Sequence, residues 1–130
     1  MLPFWPAVVT LLIVLLLFAT AWMVGGARGR YGIKAPATSG DPAFERIFRV
    51  QMNTQEAALM ALPALWIAAW YGNPDYAAIA GAVWIAARVW YAVAYSRDAG
   101  KRGPAFSLGA LALVALIVIA ASGLLRAAGV

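Results

Sequence analysis

Cysteine and histidine are both absent from this 130-residue chain, and acidic residues number only five. Without Cys there is no disulfide framework and no protein thiol. Without His there is no imidazole acid–base catalysis, no Ser-His nucleophile and no ligand set for most zinc or copper sites. A strong nucleophile must therefore arrive with a ligand, and no metal is expected. Charged residues make up 12% against 65% hydrophobic, about half the charged share of an ordinary soluble domain. That balance argues against a water-soluble globule.

Long uncharged runs fill most of the chain. From Leu2 to Gly26 no residue is charged, and about 20 apolar residues suffice to cross the hydrocarbon core. No Lys or Arg precedes this run and no small-x-small cleavage site follows it, so it reads as a retained helix over 2–25 and not as a leader. Gly25 to Pro42, rich in Gly and Pro and carrying Arg28, Arg30 and Lys34, reads as a polar loop. Asp41 and Pro42 supply an N-cap and a first-turn proline for a second helix over 42–70. Gly72-Asn73-Pro74-Asp75 makes a tight turn, with Asp75 as the expected cap of a third helix over 76–95, and Pro104 opens a fourth over 104–128. The predicted fold is all-α: one integral-membrane domain over 1–130, a four-helix bundle whose helices pair as two hairpins.

The net charge of +5 comes from basic residues beside the apolar spans, not along a polar face, so no nucleic-acid partner is expected. Arg28, Arg30, Lys34, Arg46, Arg49, Arg97, Lys101 and Arg102 all fall at the ends of the first and third hairpin arms, with Arg126 alone on the other side. The positive-inside rule places these loops in the cytoplasm, in a bacterial inner membrane or a eukaryotic endomembrane. Trp5, Trp70, Tyr71 and Tyr76 would mark the opposite interface.

On the second helix Glu45, Arg46, Arg49, Asn53 and Glu56 share a sector about 100° wide. Ionisable groups at membrane depth are costly unless they face protein, water or each other, and by default they mark function. Glu45 and Arg49, at i and i+4, are placed to pair on the helix surface. Arg49, Asn53 and Glu56 read as a binding stripe, while Gln51 on the opposite side suits structure and ligand equally. On the third helix Trp84, Arg88, Tyr91 and Tyr95 share a sector about 60° wide. Arg88 lies deepest, where a structural pair with Glu56 and a ligand contact are both open readings. Two stripes bearing arginine and opening towards basic loops suit a ligand with carboxylates, such as a fatty acid head group or a small acidic peptide.

The run Phe44-Glu-Arg-Ile-Phe-Arg-Val-Gln-Met-Asn-Thr-Gln-Glu56, then Leu62-Pro63, and Arg88-Val-Trp-Tyr91 with Tyr95 resemble the MAPEG family, the membrane-associated proteins of eicosanoid and glutathione metabolism. The resemblance is greatest to the cysteinyl-leukotriene synthase and microsomal glutathione S-transferase branch. It implies a homotrimer that binds glutathione between subunits. By position it implies that Arg49, Asn53, Glu56, Arg88, Tyr91 and Tyr95 bind glutathione, with Gln51 contributed by the adjoining subunit. Arg28 matches a loop arginine of the branch, but its neighbour Gly29 replaces a second basic residue. Arg102, seven residues beyond Tyr95, matches the arginine that stabilises the glutathione thiolate and is the expected catalytic residue.

The activity so implied is conjugation of glutathione to lipophilic electrophiles, as in detoxification, with reduction of lipid hydroperoxides as an additional reaction. Glutathione is then co-substrate, and the other partners are membrane lipids and a lipophilic small molecule. The family also contains a noncatalytic lipid-presenting member, which leaves a lipid-binding scaffold as the alternative. A four-helix multidrug transporter would need a coupling carboxylate in the first helix, where there is none.

Overall fold

The computed structural model describes residues 2–130. They form four long helices: α1 Phe4–Tyr31, α2 Pro42–Tyr71, α3 Pro74–Arg97 and α4 Gly103–Ala127. One 3-10 turn, Ala99–Lys101, separates the last two. The all-α, four-helix expectation is met, with adjustments at three helix ends.

α1 continues to Tyr31 instead of giving way to a loop near Gly25. Each helical glycine costs about 1 kcal/mol relative to alanine. Tertiary burial offsets that cost, because Val24 and Ala27 pack on the fully buried Phe44 of α2, with Tyr31, Ile33 and Ile47 around them. The helix stops at Gly32, whose φ of 66° is left-handed backbone suited to glycine, and the N–H groups of Gly32 and Ile33 both bond to the Arg28 carbonyl.

The cap of α3 is Asn73, not Asp75. The Asn73 side chain accepts from the N–H groups of Asp75 and Tyr76, each at 3.0 Å, while Pro74 occupies the first helical position and Asp75 sits in the first turn. Proline there has no N–H to satisfy, so the residue before it is the natural cap. α3 also runs to Arg97, beyond the expected end at 95. At α2 the expected cap holds: Asp41 accepts from the Ala43 N–H at 2.8 Å.

α2 and α3 are the central pair; α1 and α4 each pack on both of them, at the far corners of a rhombus. The core between them is built largely of alanine, with Ala58, Ala61, Ala68, Ala77, Ala80, Ala112 and Ala120 buried around Val9, Ile13, Leu65, Trp84 and Leu116. Small side chains bring backbones close. At Gly81 an added Cβ would lie 2.7 Å from Val9 Cγ1 and 3.2 Å from Leu65 Cδ1, and at Gly123 it would strike the Tyr71 backbone.

α1, α3 and α4 are each long and apolar enough to cross a membrane; α2, at 30 residues, is long enough but too polar in its first half to qualify by composition. Trp5, Trp70, Tyr71 and Tyr76 are all exposed and lie at one end of the bundle, where α1 and α3 begin and α2 ends.

Candidate functional site

Because α2 and α3 are joined by a short turn and run antiparallel, the start of α2 lies beside the end of α3. Arg46 Nε marks this by donating to the Ser96 carbonyl at 3.3 Å. The two polar stripes therefore meet at the end of the bundle away from Trp5 and Trp70. The chain then turns sharply: Asp98 accepts from the Gly100 N–H at 2.9 Å through its side chain and from the Lys101 N–H at 3.0 Å through its carbonyl. That turn returns Arg102 to the end of α3, where its guanidinium lies 5.4 Å from the Tyr95 ring centroid and Nη1 donates to the Ala99 carbonyl at 3.0 Å.

A cleft of about 440 Å3 opens there, lined by Arg49 and Asn53 of α2, Tyr91 and Tyr95 of α3, Arg102, and Phe106 of α4. Tyr91 and Tyr95, one turn apart, stack at 5.4 Å between ring centroids, and Phe106 closes on Tyr91 at 6.4 Å. Five of the residues singled out in the sequence thus line one cavity. Glu56 stands at its edge, with Oε1 3.6 Å from Arg49 Nη1. The expected Glu45–Arg49 pair is not formed: among the described residues the one ion pair is Arg49–Glu56.

Arg88 lies behind the cleft, 3% exposed. It does not pair with Glu56. Its Nη2 donates to Asn53 Oδ1 at 2.8 Å and to Thr54 Oγ1 at 2.9 Å, its guanidinium carbon sits 4.1 Å from the Tyr91 ring centroid, and its buried Nε bonds to nothing among the described residues. A guanidinium attracted to a π-face and held by two neutral oxygens, with its Nε left unbonded, is a costly arrangement without a carboxylate. A helical wheel gives directions without distances, and Asn53 and Thr54 reach Arg88 where Glu56 points outward.

Arg28 and Gln51 do not line this chain's cleft. Arg28 Nη1 bonds the carbonyls of Ala37 at 2.7 Å and Ile33 at 3.4 Å and its guanidinium covers the Phe44 ring at 5.2 Å, fastening the α1–α2 loop. Gln51 is half-buried elsewhere on α2. Sequence reading missed Phe106, which no apolar pattern distinguishes from its neighbours on α4. It also missed Thr54, whose hydroxyl beside Asn53 at membrane depth was the available signal.

Chemically, two guanidinium groups and two phenols facing one cavity can hold carboxylates by paired N–H donors, with Glu56 at the rim available to a cationic group. A guanidinium beside a thiol would favour its ionised form.

Comparison with known proteins agrees in kind. The MAPEG family model matches residues 6–122. An uncharacterised protein of Synechocystis is 46% identical over 114 residues, covering 88% of this chain and 83% of that protein. Microsomal glutathione S-transferase 2 of Bos taurus is 44% identical over 108 residues, 82% of this chain and 73% of its own length. Leukotriene C4 synthase of the same species is 40% identical over 119 residues, 92% of this chain and 79% of its own. With three membrane-length apolar helices and a family match spanning nearly all of its length, the chain is a membrane protein that belongs to the MAPEG family.

Proposed function

We propose that this protein is a glutathione S-transferase that holds glutathione in the Arg49–Arg102 cleft and conjugates it to lipophilic electrophiles. The observation that carries the reading is the convergence of Arg49, Asn53, Tyr91, Tyr95 and Arg102 on one cavity, in a chain 44% identical to a microsomal glutathione S-transferase.

A free thiol titrates near 8.5, so at neutral pH only a few per cent is the nucleophilic thiolate. Arg102, fixed over Tyr95, would stabilise that anion by charge and hydrogen bonding. The thiol proton leaves to water, the sulfur forms a bond to the electrophilic carbon, and the electron pair departs with the leaving group or onto an opened oxygen. Arg49, Asn53 and the tyrosines hold the peptide so that only the electrophile need approach. Reduction of lipid hydroperoxides would draw on the same thiolate.

The functional unit in this reading is a homotrimer. Arg49 and Glu56 are 51% and 53% exposed on α2, and ionisable groups at membrane depth do not face lipid. A neighbouring copy covers them and brings its own Gln51 to the cleft. The basic loops are cytoplasmic.

Glutathione added to detergent-purified protein should give an ultraviolet thiolate signal, lost in Arg102→Ala. Conjugation of a lipophilic electrophile should fall in parallel. A wild type that takes up lipid tightly and no glutathione would instead be a noncatalytic scaffold.

A further inference from the structure

Arginine has only donors. The Asn53 atom that faces Arg88 at 2.8 Å is therefore the amide oxygen, and the amide nitrogen is turned the other way, into the cleft that Asn53 lines. The two hydrogens of Arg88 Nη2 are divided between Asn53 Oδ1 and Thr54 Oγ1, and Thr54 is 0% exposed. Nothing among the described residues accepts from Asn53 Nδ2. With Nη2 spanning both oxygens, the guanidinium cannot rotate without losing a bond in a site where water does not replace it.

We infer that Thr54 is a positioning residue: through Arg88 it locks the Asn53 amide so that Asn53 offers the cleft N–H donors alone, and the ligand group seated against it is a carboxylate or carbonyl oxygen. The lock is a property of the protein by itself; only the identity of the ligand rests on the glutathione reading. It follows that a group with donors alone, such as an ammonium, is refused at Asn53.

Asn53 and Asn73 are the chain's two asparagines, so labelling asparagine with 15N gives two side-chain amide pairs. In ligand-free Thr54→Val the Asn53 pair should move and the Asn73 pair should stay, with Thr54→Ser restoring the wild-type position. An unmoved Asn53 pair in Thr54→Val overturns the lock whatever the ligand. In kinetics, Thr54→Val should raise KM for glutathione about tenfold, the scale of one hydrogen bond to a charged group, with kcat retained and Thr54→Ser near wild type. Asn53→Asp separates binding from structure: the carboxylate gives Arg88 a countercharge, so the melting temperature should hold or rise. Its second oxygen, an acceptor where the amide nitrogen was, faces the ligand's acceptor, and glutathione binding should fall more than about tenfold. Asn53→Asp that binds glutathione like the wild type overturns the donor assignment. If the wild type binds no glutathione while Thr54→Val still moves the Asn53 amide, the glutathione reading fails and the lock stands.

Discussion

Arg49 and Glu56 pair across two turns of α2, Nη1 to Oε1 at 3.6 Å, with both side chains half exposed. At the exposure they have within one subunit an ion pair contributes between zero and about 1 kcal/mol, so the stability of the subunit does not account for placing two charges on this helix. Glu56→Gln should leave the melting temperature nearly unchanged and raise KM for glutathione about tenfold, as expected for a lost charge-assisted bond. Calorimetry beside steady-state kinetics checks both halves; a large loss of stability with unchanged KM would make the pair structural.

Arg102 has a pH signature. If its guanidinium favours the thiolate, the bound thiol titrates below the free value of about 8.5, and in Arg102→Ala it returns towards that value. The variant should lose about tenfold in conjugation rate at neutral pH for each unit of that return and approach the wild type as pH rises above about 9. A rate deficit constant across pH would assign Arg102 to binding instead of ionisation.

Gly81→Ala tests the close α1–α2–α3 contact. Its Cβ would meet Val9 Cγ1 at 2.7 Å, and overpacking of this kind costs about 1–3 kcal/mol. Thermal unfolding should shift down, and Val9→Ala in the same chain should restore part of the loss.

Asn73→Ala removes the acceptor for two N–H groups at the start of α3. The expected cost is about 1 kcal/mol, whereas Asp75→Ala should cost less. Equal effects would show that Asp75 shares the capping.

Helix periodicity made much of the site legible. The spacing of Arg49 and Asn53, and of Tyr91 and Tyr95, placed each pair on one face, and the cleft brings the two faces together. The partner of Arg88 was not legible, because direction on a wheel does not say which of Asn53, Thr54 and Glu56 reaches across. Nor was the length of α1: Gly25, Gly26 and Gly29 speak locally for a loop, and only the distant Phe44 makes the extra turns worthwhile. Phe106 carried no signal, since its role arises from where the Asp98 turn delivers α4.

The rhombic arrangement bears on how the chain enters a bilayer. α2 is the helix least able to rest alone in lipid, yet it is tied to α3 by Gly72 and Asn73 only, and both α1 and α4 need that pair as their platform. The turn is at the end of α2 opposite its charged stripe, so the apolar second half of α2 can cross first with α3 as one hairpin. The charged first half of α2 then need not be carried through the hydrocarbon.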